Sequence, residues 1–130
     1  MFVVIFAIAL TYGDPVPVAL KRAARNGNMV ALSSIVQSMG RGGIDLEPAF
    51  MEASAYGRIK AMKFLVAKGA VDVRGALIKA SSRNQVHAVR YLLELDEHID
   101  ELDVELARLV AGGSDSLESE FVLLTHRMLN

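Results

Sequence analysis

A chain of 130 residues is long enough for one domain or one short repeat array, and a hydrophobic content of 52% is too high for a disordered chain. The absence of cysteine excludes disulfides, thiolate metal sites and a cysteine nucleophile. A net charge of −1 conceals an asymmetry: residues 18–90 carry 12 Lys/Arg against four acids, a net +8, and residues 91–130 carry 10 acids against Arg108 and Arg127, a net −8. Two differently charged solvated faces explain this, and so does a bipolar protein whose basic half meets an acidic partner. No Asn-x-Ser/Thr glycosylation sequon is present.

Phe2 to Leu10 is a run of nine apolar residues, too short to span a bilayer as a helix. One reading makes it the apolar region of a secretory signal peptide, with Ala7-Ile8-Ala9 as the small-x-small site, although no Lys or Arg precedes it. The other makes it a buried strand or helix sealing the first unit of a repeat stack. A fragment or a misassigned start is the third. The expected localisation follows: cytoplasmic in the second case, secreted if residues 2–10 belong to a signal peptide. Asp14-Pro15-Val16-Pro17 reads as a stiff break before the first helix.

Internal similarity organises the rest. Ala19-Leu20-Lys21-Arg22-Ala23 aligns with Ala49-Phe50-Met51-Glu52-Ala53 and Ala76-Leu77-Ile78-Lys79-Ala80. The anchors Ala23, Ala53 and Ala80 stand 30 and 27 residues apart, and a further 27 reaches Ala107, with Val104 in the place of Leu20, Phe50 and Leu77. Four residues past the anchors come Gly27, Gly57 and Asn84, the types that tolerate a left-handed backbone between two helices. Aligned apolar columns follow: Met29, Ile59 and Val86; Leu32, Met62 and Val89; Ile35, Leu65 and Leu92; Val36, Val66 and Leu93. Their spacing marks one face of a helix.

Each unit is therefore expected to be a short helix, a tight turn and a longer helix. The predicted fold is all-α, a short helical-hairpin solenoid. Its segments are 1–17, an apolar N-terminal signal or cap; 18–44, repeat 1; 45–74, repeat 2; 75–101, repeat 3; and 102–130, a divergent C-terminal capping repeat. In the last, Ala111 to Ser116 reads as a longer loop, and a final helix starts near Leu117 with Asp115 or Ser116 as its cap. Leu117, Phe121, Leu124 and Met128 are its apolar stripe, and Glu118, Glu120 and Arg127 its outer face.

These units resemble the ankyrin repeat. Repeat 2 carries the resemblance furthest: Pro48-Ala49-Phe50-Met51-Glu52-Ala53, Gly57, then Ala61 through Gly69-Ala70, with Val71-Asp72-Val73 after it. The likeness covers about residues 17–95. The family's Thr-Pro-Leu-His box is intact nowhere: Glu47 stands for the Thr and Met51 for the His. Repeat 3 has Asn84 for the Gly and lacks the Gly-Ala. Units of 27 and 30 residues fall short of the family's 33, so the β-turn fingers are expected to be reduced or absent. The resemblance implies that the two positions before each turn residue face a concave binding surface: Arg25 and Asn26, Ala55 and Tyr56, Ser82 and Arg83. Arg25, Tyr56 and Arg83, with Asn26 beside them, then form a ladder of two cations and an aromatic, a combination favoured at interfaces.

Little else in the chain suggests chemistry. His87, His98 and His126 are isolated, without metal-binding spacing. The acidic run Asp96 to Glu105 lacks the mid-loop glycine of a calcium loop. Gly40-Arg41-Gly42-Gly43 lacks the Gly-Lys-Ser/Thr ending of a phosphate loop and reads as a connector. Ser33, Ser34, Ser81 and Ser82 have no supporting His/Asp motif. The expected function is non-catalytic, a protein–protein interaction module or adaptor, monomeric, with no cofactor, metal, small-molecule substrate or transmembrane helix. Two alternatives stand beside it: a secreted effector binding a host protein, and a nucleic-acid binder using the basic half. The second is weakened by cations spread over several helices and an aromatic content of 6%.

Overall fold

Eight α-helices make up most of the residues described by the computed structural model, which are 15–39, 45–95, 99–112 and 117–129; no strand occurs among them. They are α1 (Val16–Asn26), α2 (Met29–Met39), α3 (Glu47–Ala55), α4 (Ile59–Ala67), α5 (Val73–Ser82), α6 (Val86–Leu95), α7 (Glu101–Gly112) and α8 (Leu117–Leu129). The apolar run 2–10, the Gly40–Gly43 connector, His98 and the caps Asp115 and Ser116 lie outside the described residues. Among the described residues no helix is long and apolar enough to cross a membrane.

The helices pair as hairpins, α1 with α2, α3 with α4, α5 with α6 and α7 with α8. Successive hairpins stack through their first helices, α1 on α3, α3 on α5 and α5 on α7, and more loosely through their second helices. The sequence supplies the reason. Ala49, Ala53, Ala76, Ala80 and Ala107 are all buried. A methyl group in place of a longer chain lets first helices approach closely. Phe50, Leu20 and Leu77 fill the space behind them, and Leu32, Met62, Val89, Ile35, Leu65 and Leu92 are fully buried in the second layer. Burial of each such side chain stabilises the stack by about 1.5–3 kcal/mol. Ala31, Ala61 and Ala88 add a buried alanine column in the second helices, which the alignment of large apolar residues passes over.

The tight turns share one hydrogen-bond pattern, with the left-handed residue at Gly27 (φ 67°), Gly57 (φ 68°) and Asn84 (φ 55°). The amides of Asn28, Arg58 and Gln85 donate to the anchor carbonyls of Ala23, Ala53 and Ala80 at 2.9, 2.8 and 2.9 Å. This closes the preceding helix while the next begins, leaving few orphaned carbonyls. At the junction of α4 and α5 only Lys68 to Asp72 intervene, without a β-hairpin. Glu47 holds that short connection. Its carboxylate accepts from the amides of Val71 (2.8 Å) and Asp72 (3.1 Å), and Asp72 in turn caps α5 by accepting from the Gly75 amide at 3.0 Å.

The structure departs from the expected elements in four places. First and second helices are of nearly equal length, nine and nine residues in α3 and α4, ten and ten in α5 and α6. The first helix of each unit begins well before its alanine anchor: proline in the first turn of α1 and α3 presets a helical φ, and the carboxylates of Asp72 and Asp100 cap α5 and α7. Val16 and Pro17 belong to α1 rather than to the break before it, since proline is tolerated in a first turn where its missing N–H has no partner to lose. Helix α7 continues through Ala111 and Gly112, which shortens the expected loop. In α8 the inward residues are Leu123, fully buried, and Val122, while Phe121 and Met128 are 69% and 85% exposed and Leu124 is also exposed. The expected stripe of Phe121, Leu124 and Met128 thus faces away from the core, because α8 packs against both α6 and α7 and turns a neighbouring apolar face toward them.

Candidate partner-binding face

The first helices expose the side turned away from the second layer. Arg25 lies in the last turn of α1, Tyr56 follows α3 directly and Arg83 follows α5, so successive units place them on neighbouring steps. Tyr56 lies between the two cations. The Arg25 guanidinium carbon is 5.4 Å from its ring centroid and that of Arg83 is 4.6 Å from it. Both lie within the range where a cation is attracted by the ring quadrupole, worth about 0.5–1 kcal/mol at an exposed site. The ring is half-buried and both arginines are exposed. The three residues, separated by 31 and 27 positions in the chain, form one continuous strip.

Glu52, which sequence reasoning missed, organises the first step of that strip. Its Oε2 accepts from Arg25 Nε at 3.0 Å, and its Oε1 lies 3.8 Å from Lys21 Nζ. That hydrogen bond, and then the carboxylate's charge, hold the Arg25 pKa above its already high ordinary value. The signal in the sequence was an acid at the position where repeats 1 and 3 have Arg22 and Lys79. Arg25 is also fixed at its carbonyl, which accepts from Arg58 Nε at 2.9 Å. Arg83 differs: its guanidinium lies over Tyr56, and among the described residues no carboxylate pairs with it.

Asn26 is exposed at the end of α1 and no bond ties it to the strip. Ala55 is buried and does not belong to the surface, and the Ser82 hydroxyl donates to the Lys79 carbonyl of its own helix at 2.8 Å. The position two before the turn residue is therefore open to solvent in repeat 1 but covered in repeat 2, where a methyl group stands in place of the long Arg25 side chain and remains outside the core cluster. A second contact between units runs along the turns. Arg58 Cδ lies 3.2 Å from where a Gly27 Cβ would stand, and Gln85 folds over Gly57 in the same way one unit later. The residue after each turn thus reaches back over the glycine of the unit before.

The face combines planar, directed donors with an aromatic ring held between them. It offers no nucleophile–base pair, and among the described residues no three His, Asp or Glu side chains are grouped to hold a metal ion. No family model, curated protein or solved structure matches the chain.

Proposed function

We propose that this chain is a non-catalytic, ankyrin-like interaction module that binds an acidic segment of another protein along the exposed face of its first helices. The observation that carries the reading is the Arg25–Tyr56–Arg83 strip, drawn from three consecutive units, with Arg83 unpaired by any described carboxylate. A partner carboxylate placed at Arg83 meets a guanidinium already oriented by the ring beneath it. At Arg25 it competes with Glu52. Arg83 and Tyr56 are therefore the energetic centre, and Arg25 contributes mainly to steering.

The test is affinity capture from the native source with the wild-type chain and with an Arg25→Glu/Tyr56→Ala/Arg83→Glu variant, followed by titration of the protein that only the wild type retains. Tyr56→Ala alone should cost about 1–2 kcal/mol of binding. Arg83→Glu should slow association, and more steeply at low salt. The triple variant loses both cation–π contacts and the Arg25–Glu52 pair, so it is expected to remain folded with a stability lower by about 1–3 kcal/mol. Equal affinity for wild type and a folded triple variant refutes the assignment of this face.

A further inference from the structure

We infer that the last first helix, α7, carries a second and separate docking site, a leucine stripe that takes a basic amphipathic helix of a partner protein. Leu102, Leu106 and Leu109 are 76%, 47% and 58% exposed. Their spacing of four and three places them on one side of α7. The core uses the opposite side, through the buried Val104 and Ala107.

Register shows that the stripe is not a by-product of the stack. Counting from the anchor alanine, its three positions are occupied by Val18, Arg22 and Arg25 in the first unit, Pro48, Glu52 and Ala55 in the second, and Gly75, Lys79 and Ser82 in the third. No earlier unit has leucine at any of them. Folding therefore does not require large apolar residues there, and only α7 has them at all three.

The chemistry of the occupant follows from the rim. Asp100, Glu101 and Glu105 line a shallow depression together with Leu102. Glu101 and Glu105 precede Leu102 and Leu106 by one residue and so flank one edge of the stripe. Arg108 reaches Glu105 at 2.6 Å and Arg74 reaches Asp103 at 3.0 Å, but Asp100, Glu101, Asp103 and Glu105 outnumber these two cations, so this end of α7 carries a net negative formal charge, and residues 91–130 as a whole are net −8. An apolar stripe two helical turns long with a carboxylate edge is complementary to a helix that presents apolar residues at i, i+3, i+4 and i+7 with Lys or Arg beside them. A second copy of this chain docking the same stripe would instead bring two acidic edges together.

The probe is a synthetic helix of about 18 residues with leucine on one face and lysine on the rest, long enough to cover the stripe. Its control has glutamate for lysine. Both are titrated calorimetrically against the full chain, against Leu102→Ala/Leu106→Ala/Leu109→Ala, in which alanine preserves helix propensity, and against Leu106→Glu. The expected result is binding of the lysine peptide only, weakened about tenfold or more by either variant. Arg25→Glu/Arg83→Glu should not weaken it, which separates this site from the strip on the earlier units. Equal binding of the glutamate peptide, or an undiminished affinity in the alanine variant, overturns the inference. Self-association of the peptide-free chain in sedimentation, abolished by the alanine variant, also overturns it by assigning the stripe to a second copy.

Discussion

Replacing Gly57 by alanine tests the turn and the contact between units together. Gly57 sits at φ 68°, where an L side chain is strained by roughly 1–2 kcal/mol. A methyl group there also overlaps Gln85 Oε1. The overlap is relieved by swinging the Gln85 amide, which gives up a 3.5 Å bond to the Arg83 carbonyl. A hydrogen bond that long is worth at most about 0.5 kcal/mol. Stiffening of the unfolded chain offsets about 0.4–1 kcal/mol. The net cost is about 1 kcal/mol, lowering the melting midpoint by about 3–6 °C in a chain of this size. Asparagine should cost less than alanine, since Asn84 already holds the same left-handed conformation one unit later. Helical circular dichroism against urea for wild type, Gly57→Asn, Gly57→Ala and Gly57→Ala/Gln85→Ala gives the order directly. If backbone strain dominates, Gln85→Ala adds independently in the double variant; if the overlap dominates, it rescues. Gly57→Ala at wild-type stability would show that the turn is not left-handed.

Ala53→Leu should destabilise by about 1–3 kcal/mol, because it overpacks the seam between first helices, and Leu65→Ala by about 2–5 kcal/mol; a denaturant melt that leaves either unchanged contradicts the stacking. In α8, Leu123→Ala is expected to cost about 2–5 kcal/mol, whereas Phe121→Ser and Met128→Ser should stay within about 0.5 kcal/mol, and the opposite ranking would restore the other stripe to the core. The Asp100 carboxylate accepts from the Asp103 amide at 2.9 Å, and chiefly this backbone bond lowers its pKa below the ordinary aspartate value. A depressed folded pKa means that the bond stabilises the start of α7 above the unfolded pKa and that this is lost as pH falls through the folded one. An NMR titration placing Asp100 at or above the ordinary value contradicts that geometry.

A stack makes similar contacts at every step, so the residues that make them recur, and periodicity alone was enough to read an all-helical chain of short hairpins. The anchors Ala53, Ala80 and Ala107 had to be small where helices touch, and Gly27, Gly57 and Asn84 had to accept a left-handed backbone. Those demands are local or repeated, and they are written into the chain. Glu47 and Glu52 were not legible, because each acts on a partner more than 20 residues away in the chain: one holds the amides of Val71 and Asp72, the other the guanidinium of Arg25. Nor was the burial of Ala55, whose methyl group is too short to reach past its neighbours to solvent. Helix α8 shows the limit most clearly. Seven of its 13 residues are large and apolar, so two adjacent stripes satisfy helical spacing equally well. Only the position of α6 and α7 chose Leu123 for the core and left Phe121 and Met128 outside, just as only the stack turned Leu102, Leu106 and Leu109 toward solvent. Periodicity says which residues share a face; which face meets the neighbouring helix is decided by where that neighbour lies.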